Sequence, residues 1–89
     1  MTPLSNAQLV MRVGEALHGP YAVDRLSREL PMAKRTVERI AAAAQEGGEY
    51  AAAKGALTEL PRLINARIRE LEAWKAYAVS TMEAQGLRS

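Results

Sequence analysis

Residues 23–40 read VDRLSRELPMAKRTVERI, and this stretch predicts two short helices that meet at a tight corner. Its apolar side chains recur mostly at steps of three or four, as they do when each helix turns one face toward a core. Pro31 marks the corner, because proline removes a backbone donor and biases Leu30 away from helical geometry. Such a pair leaves the outer face of its second helix free to contact another molecule. The apolar residues are Val23, Leu26, Leu30, Met32, Val37 and Ile40.

A first helix is predicted over residues 6–18. Ser5 and Gln8 have the spacing of a capping box, in which each side chain accepts a hydrogen bond from the other residue's backbone N–H. Gly19-Pro20 ends this helix, since glycine supplies a left-handed cap and proline cannot continue the helix. His18 is expected to lie beside the carbonyls of the helix C-terminus. The residues predicted to face the core are Leu9, Val13 and Leu17, flanked by Val10 and Ala16.

The two helices of the corner are predicted over residues 22–30 and from residue 33 or 34 to Gln45. Tyr21 opens the first of them, and Pro31 prevents it from running on. The second continues through four alanines, because alanine has the highest helix propensity. Gly47-Gly48 then breaks it.

Residues 46–56 are predicted to form a linker, either as a loop or with one or two turns of helix, and residues 57–86 a long final helix. Thr58 is expected to cap this helix, which places Pro61 in the first turn, where its missing N–H is harmless. Apolar residues follow at steps of three or four along the whole helix. Residues 57–68 are expected to pack on the corner of helices and complete the core. The stripe consists of Leu57, Leu60, Ile64, Ile68, Leu71, Trp74, Ala78 and Met82, with Leu63 beside them.

The second half of this helix is predicted to project past so small a core. A solitary helix that exposes tryptophan is a poor surface in water, and a second copy of the chain would cover it economically. We therefore expect a two-fold homodimer, with an intramolecular contact of Trp74 as the alternative. The predicted dimer contacts are Leu71, Trp74, Tyr77, Ala78 and Met82.

The composition limits the class of protein. At 89 residues the chain is expected to be one domain with one small core, spanning residues 1–89. It has no cysteine, which suits a reducing cytoplasm, and a single histidine, which argues against a protein-only zinc site. The apolar runs are too short to cross a bilayer, and no targeting segment is recognisable. The predicted location is therefore cytoplasmic, without a membrane partner.

The charged residues favour binding over catalysis. The net charge is +2, and the excess lies before residue 46, where six basic residues face four acidic ones. We find no paired carboxylates, no nucleophile with a histidine base, no metal-ligand spacing and no phosphate loop. An enzyme is therefore not expected, and neither a cofactor nor a small-molecule ligand is predicted.

The corner resembles the helix-turn-helix of the lambda-repressor-like (Xre or Cro) class of bacterial and phage DNA-binding regulators. The resemblance covers residues 5–45 and implies an all-α fold. Two positions depart from the family pattern. Pro31 stands where glycine is usual, and Ala33 stands where serine, threonine or asparagine usually caps the recognition helix. The matching residues are the pair Leu26-Ser27, Leu30, Met32, Val37, Ile40 and the segment Lys34-Arg35-Thr36-Val37.

This resemblance implies a transcriptional regulator that binds double-stranded DNA with the helix of residues 34–45 in the major groove. Arg35 and Arg39 lie one turn apart, and the arginine fork matches two acceptors of guanine. Glu38 suits the cytosine amino group, or an ion pair with a neighbouring cation. The predicted base-reading residues are Lys34, Arg35, Glu38 and Arg39, and the predicted phosphate contacts are Tyr21, Arg25, Arg28 and Thr36.

Two other interpretations stay open at this point. The charged residues around the corner could form an ordinary solvated surface. The chain could also be a helical interaction module, an adaptor or an antitoxin-like partner, that holds another polypeptide with its final helix. If the DNA hypothesis holds, a homodimer would present two recognition helices to a palindromic site, and the cytoplasmic protein would be associated with the nucleoid.

Overall fold

The computed structural model describes residues 3–87, and every regular element in that range is helical. Helix α1 spans Asn6–His18, a 3-10 helix spans Gly19–Tyr21, α2 spans Ala22–Glu29, α3 spans Lys34–Gln45 and α4 spans Ala51–Ala84. The predicted all-α fold with a long C-terminal helix is confirmed. The predicted domain also includes Met1, Thr2, Arg88 and Ser89, which lie outside the described residues.

Both ends of α1 lie where their capping residues predict. Ser5 Oγ accepts from the Gln8 N–H at 3.1 Å, and Gln8 Oε1 accepts from the Ser5 N–H at 3.0 Å, which completes the capping box. At the other end Gly19 has a φ of 60°, and its N–H donates to the Glu15 carbonyl. A positive φ of this kind favours glycine, so the chain turns there at little cost.

The buried face of α1 differs from the predicted stripe. Leu9 is 39% exposed, and Val13 and Leu17 are only partly buried. The helix packs against α2, α3 and α4 together. Its buried residues are themselves spaced by three and four, so the buried stripe is rotated around the helix axis relative to the predicted one. The residues of α1 that are buried are Ala7, Val10, Met11 and Gly14.

The corner between α2 and α3 forms as predicted. Leu30 is buried and takes an extended conformation with φ −88° and ψ 144°, so α2 stops directly before Pro31. The Met32 N–H donates to the Leu30 carbonyl at 2.8 Å, and Met32 packs against the core. Leu26, Val37 and Ile40 are fully buried where the two helices meet. Both helices are therefore fixed by the same core.

The start of the final helix was predicted wrongly. Helix α4 begins at Ala51, so the linker comprises residues 46–50 instead of 46–56. Thr58 does not cap the helix, since its Oγ1 donates to the Gly55 carbonyl one turn earlier. Pro61 consequently lies inside the helix and not in its first turn. The early start has a tertiary cause, because Ala53 and Ala56 are completely buried against the core.

The contact between α4 and the core also ends earlier than predicted. Leu60 and Leu63 are buried, and Leu57 and Ile64 pack against the core. Ile68 is 46% exposed, so core packing stops near Ile64 and not at residue 68. The helix itself ends at Ala84, two residues before the predicted end at residue 86.

Gly14 and Gly55 offer a matched test of helix packing. A Cβ on Gly14 would lie 2.6 Å from Leu26 Cδ1, whereas a Cβ on Gly55 would meet no atom within 4 Å. Gly14→Ala is expected to destabilise the fold by about 1 kcal/mol, because overpacking outweighs the gain in helix propensity. Gly55→Ala is expected to stabilise it by about 1 kcal/mol. Denaturant unfolding would measure the change in the free energy of unfolding for each variant. If both substitutions changed it in the same direction, the close contact of α1 with α2 would be contradicted.

Candidate nucleic-acid interface

The outer face of α3, defined here as Arg35, Glu38 and Arg39, is exposed to solvent. Its opposite side carries Val37 and Ile40, which are fully buried. Arg35 and Arg39 lie four residues apart and therefore share one surface of the helix. The sequence predicted both sides correctly. The face is thus held rigidly by the core without being covered by it.

Lys34, the first residue of α3, makes a contact that the sequence did not predict. Its Nζ donates to Asp24 Oδ1 on α2 at 2.9 Å, with the two side chains 58% and 54% exposed. This hydrogen bond and the Lys34 charge hold the pKa of the Asp24 carboxyl below its ordinary value, and Arg28 and Arg25 act in the same direction. The same hydrogen bond and the Asp24 charge raise the pKa of Lys34. The two groups therefore form an ion pair across the corner at neutral pH.

Three of the four predicted phosphate contacts lie on α2 or in the turn before it. Arg25 and Arg28 are exposed on α2, and Tyr21 is exposed in the 3-10 helix. Thr36, the fourth predicted phosphate contact, lies on α3 and is partly buried. Of the four, Thr36 therefore has the least surface to offer a ligand.

The N-terminus of α3 has no side-chain cap. Ala33 occupies the capping position in an extended conformation and offers no side-chain acceptor. The N–H groups of Thr36 and Val37 donate to the Ala33 carbonyl, at 3.0 and 3.2 Å. The N–H groups of Lys34 and Arg35 precede them in the first turn, where a backbone donor has no partner within the helix. An external anion could accept from these two groups.

The C-terminus of α2 is tied to two other helices. His18 Nε2 lies within hydrogen-bond distance of Glu29 Oε1, so His18 contacts α2 instead of the carbonyls at the end of α1. From α4, Arg62 donates to the Glu29 carbonyl at 3.2 Å and to the Glu59 carboxylate at 2.9 Å. These contacts position α2, and through it the corner. Sequence spacing gave no signal for them, since they join residues 11 and 33 positions apart.

Residues 68–84 of α4, called here the distal segment, extend away from the core. Trp74 is 61% exposed and Tyr77 68% exposed, with their rings edge to face at 6.1 Å between centroids. Leu71 and Ala78 are also exposed, whereas Met82 is partly buried. The predicted projection past the core is confirmed for this segment. Apart from Met82, the apolar side chains predicted to form the dimer are exposed within the described residues.

A surface groove of about 670 Å³ lies between α1, the 3-10 helix and the second half of α3. Arg12 and Glu15 lie along one side of it, and Ala41 and Ala44 along the other. None of the residues predicted to contact DNA or a second copy lines this groove. It is therefore separate from the outer face of α3.

None of the helices within residues 3–87 combines the length and the apolar character that crossing a bilayer requires. Within the same range, no three or more histidine, aspartate or glutamate side chains cluster as metal ligands would.

The comparisons with known proteins add no assignment. No family model, no curated protein and no solved structure matches the chain.

Proposed function

We propose that this protein is a sequence-specific transcriptional regulator that binds double-stranded DNA with α3 in the major groove. One observation carries the proposal. Arg35 and Arg39 stand on the exposed face of a helix whose other face is fully buried, directly after a short turn from α2. A major groove admits one α-helix, and a fixed helix presents its side chains to base edges in one register.

The side chains of α3 divide into roles by their chemistry. Arg35 and Arg39 each offer two parallel donors, which match the O6 and N7 acceptors of guanine. Glu38 lies between them in the chain and accepts from the amino group of cytosine. Lys34 stands at the start of the helix, within reach of bases or of the adjoining phosphates.

Contacts to the DNA backbone are assigned to residues beside α3. Arg25 and Arg28 lie on α2, and Tyr21 lies just before it. Thr36 and the uncapped N–H groups at the start of α3 are further donors for a phosphate oxygen. Such contacts fix the orientation of the protein and carry little sequence information.

The proposal includes a homodimer formed through the apolar residues of the distal segment, which are Leu71, Trp74, Tyr77, Ala78 and Met82. Leu71, Trp74 and Ala78 continue the side of α4 that is buried at Leu60, since they follow it at helical steps. This apolar surface is exposed in the single chain, and a second copy offers the same surface in return. A two-fold dimer would place two copies of α3 on half-sites about 34 Å apart.

Selection of bound sequences from a random duplex library is the experiment that tests the proposal. We expect a palindromic consensus, because that outcome needs both base reading and two-fold symmetry. A consensus without a palindrome would support base reading and contradict the dimer. Failure to bind random duplex DNA at low salt, where phosphate contacts are strongest, would contradict DNA binding altogether.

Trp74→Ala is expected to weaken self-association by about tenfold or more, since exposed tryptophans commonly anchor interfaces. Sedimentation over a range of concentrations would show the shift toward monomer. Val79→Ala is the matched control, because Val79 is also exposed but lies five residues from Trp74 and faces another direction. An unchanged mass for Trp74→Ala would contradict this interface.

The exposed distal segment also suits the alternative of a helical interaction module. In that case the wild-type chain would sediment as a monomer, and its apolar stripe would receive a different polypeptide. A monomer that fails to bind DNA would favour this alternative over the regulator.

A further inference from the structure

We propose that Asp24 restrains the binding of this protein to DNA of arbitrary sequence, by holding the Lys34 ammonium away from phosphates. The inference rests on the proposed function and assigns a role to a residue that the sequence alone did not single out. Asp24 lies in the first turn of α2, and Lys34 is the first residue of α3. Their side chains meet across the corner, beside the surface proposed to face DNA.

The contact competes directly with phosphate binding. Lys34 Nζ lies 2.9 Å from Asp24 Oδ1, and a carboxylate oxygen offers the ammonium the same kind of charge-assisted hydrogen bond as a phosphate oxygen. Both side chains are more than half exposed, so water and DNA can reach them without rearrangement of the core. A phosphate must therefore displace Asp24, or share the lysine with it.

Two arginines add to the positive charge around Asp24. Arg25 and Arg28 flank it on α2, near enough that their charges favour its ionised form together with that of Lys34. Of these three cations, Lys34 is the one whose ammonium donates a hydrogen bond directly to Asp24. Because binding to arbitrary sequences depends on phosphate contacts, it is the binding mode that Asp24 weakens most.

An ordinary structural role for Asp24 makes a different prediction. An acid in the first turn stabilises a helix through the helix dipole. Loss of that effect would lower the thermal midpoint of Asp24→Asn and leave the salt dependence of DNA binding unchanged. The two roles are therefore separated by different measurements on the same variant.

The test measures affinity for a random-sequence duplex as a function of salt. Asp24→Asn is expected to steepen the slope of log affinity against log salt by about one. One added phosphate contact tightens binding by up to about eightfold at roughly 0.1 M salt. The double variant Asp24→Asn/Lys34→Gln is expected to lose this gain, since the released ammonium is the group that makes the contact.

Glu70→Gln is the matched control. Glu70 accepts from Arg67 at 3.1 Å on α4, so the substitution removes the same charge and breaks the same type of exposed pair away from the corner. It is expected to leave the salt slope unchanged. An equal gain in Glu70→Gln and Asp24→Asn would overturn the proposal, and so would a gain that persists in the double variant.

The outcomes also separate this proposal from the proposed function. If the wild type and Glu70→Gln bind DNA and Asp24→Asn binds no tighter, DNA binding stands and the role of Asp24 is wrong. If none of the variants binds duplex DNA at low salt, both proposals fail. If all of the variants bind and Asp24→Asn binds more tightly than the wild type, Glu70→Gln and the double variant, both are supported.

Discussion

Leu26→Ala is expected to destabilise the fold by about 2–5 kcal/mol, the range for removing a buried leucine side chain. Leu26 is fully buried and lies against Gly14 of α1 from its position on α2. The cavity would open where α1 and the corner meet. A small domain has only about 5–15 kcal/mol of stability in total, so the substitution is expected to remove a large share of it.

Denaturant unfolding followed by circular dichroism would measure this loss. Leu9→Ala is the control, because Leu9 is the same residue type on α1 but is 39% exposed. Its loss is expected to stay below about 1 kcal/mol. Equal losses for the two variants would contradict a core centred on Leu26.

Arg35→Ala is expected to cost about 1–3 kcal/mol of affinity for the selected DNA site and to relax one base position. The arginine fork makes two parallel hydrogen bonds to guanine, and alanine leaves those acceptors unpaired. Random DNA would lose less, because it offers only phosphate contacts to this side chain. Titration of the selected site, and of a version changed at one base pair, would measure both effects.

Arg69→Ala removes the same charge from an exposed position on α4, away from the corner. It is expected to change affinity little, and equally for every sequence. If Arg35→Ala instead weakened all sequences alike, Arg35 would be a phosphate contact, and base reading by this residue would be wrong.

The parts of the fold that the sequence predicted correctly depend on local chemistry. Ser5 and Gln8 lie within one turn, Gly19 supplies its own positive φ, and Pro31 prevents α2 from continuing. Each signal acts within a few residues, so its effect does not depend on how the rest of the chain packs. The exposed face of α3 follows in the same way, since burial of Val37 and Ile40 fixes which residues point outward.

The errors lie where packing overrides local signals. Thr58 and Pro61 favour a helix start, yet the buried contacts of Ala53 and Ala56 stabilise α4 one to two turns earlier. In a sequence, alanines give little indication of a core contact because their side chains are small. In the fold, their small size is what brings α4 close to α1.

The sequence predicted that the outer face of α3 is exposed, but it gave no indication of the ion pair at the start of this helix. Lys34 was expected to be free for bases or phosphates, or to pair with Glu38, whereas its partner is Asp24. The two residues are 10 positions apart, and they meet only because the corner brings the start of α2 to the start of α3. Helical spacing within one element gives no indication of such a pair.

The continuity of α4 has a mechanical consequence. Leu60 in the core and Trp74 on the distal segment belong to one helix, with no loop between them. Each residue of an α-helix adds about 1.5 Å along the helix axis, and its side chain points about 100° further around that axis than the previous one. Adding or deleting one residue between these two positions would rotate Trp74 and Tyr77 around the helix axis without changing the structure of the corner. The number of helical residues between Leu60 and Trp74 therefore sets the direction in which the aromatic pair points relative to the core.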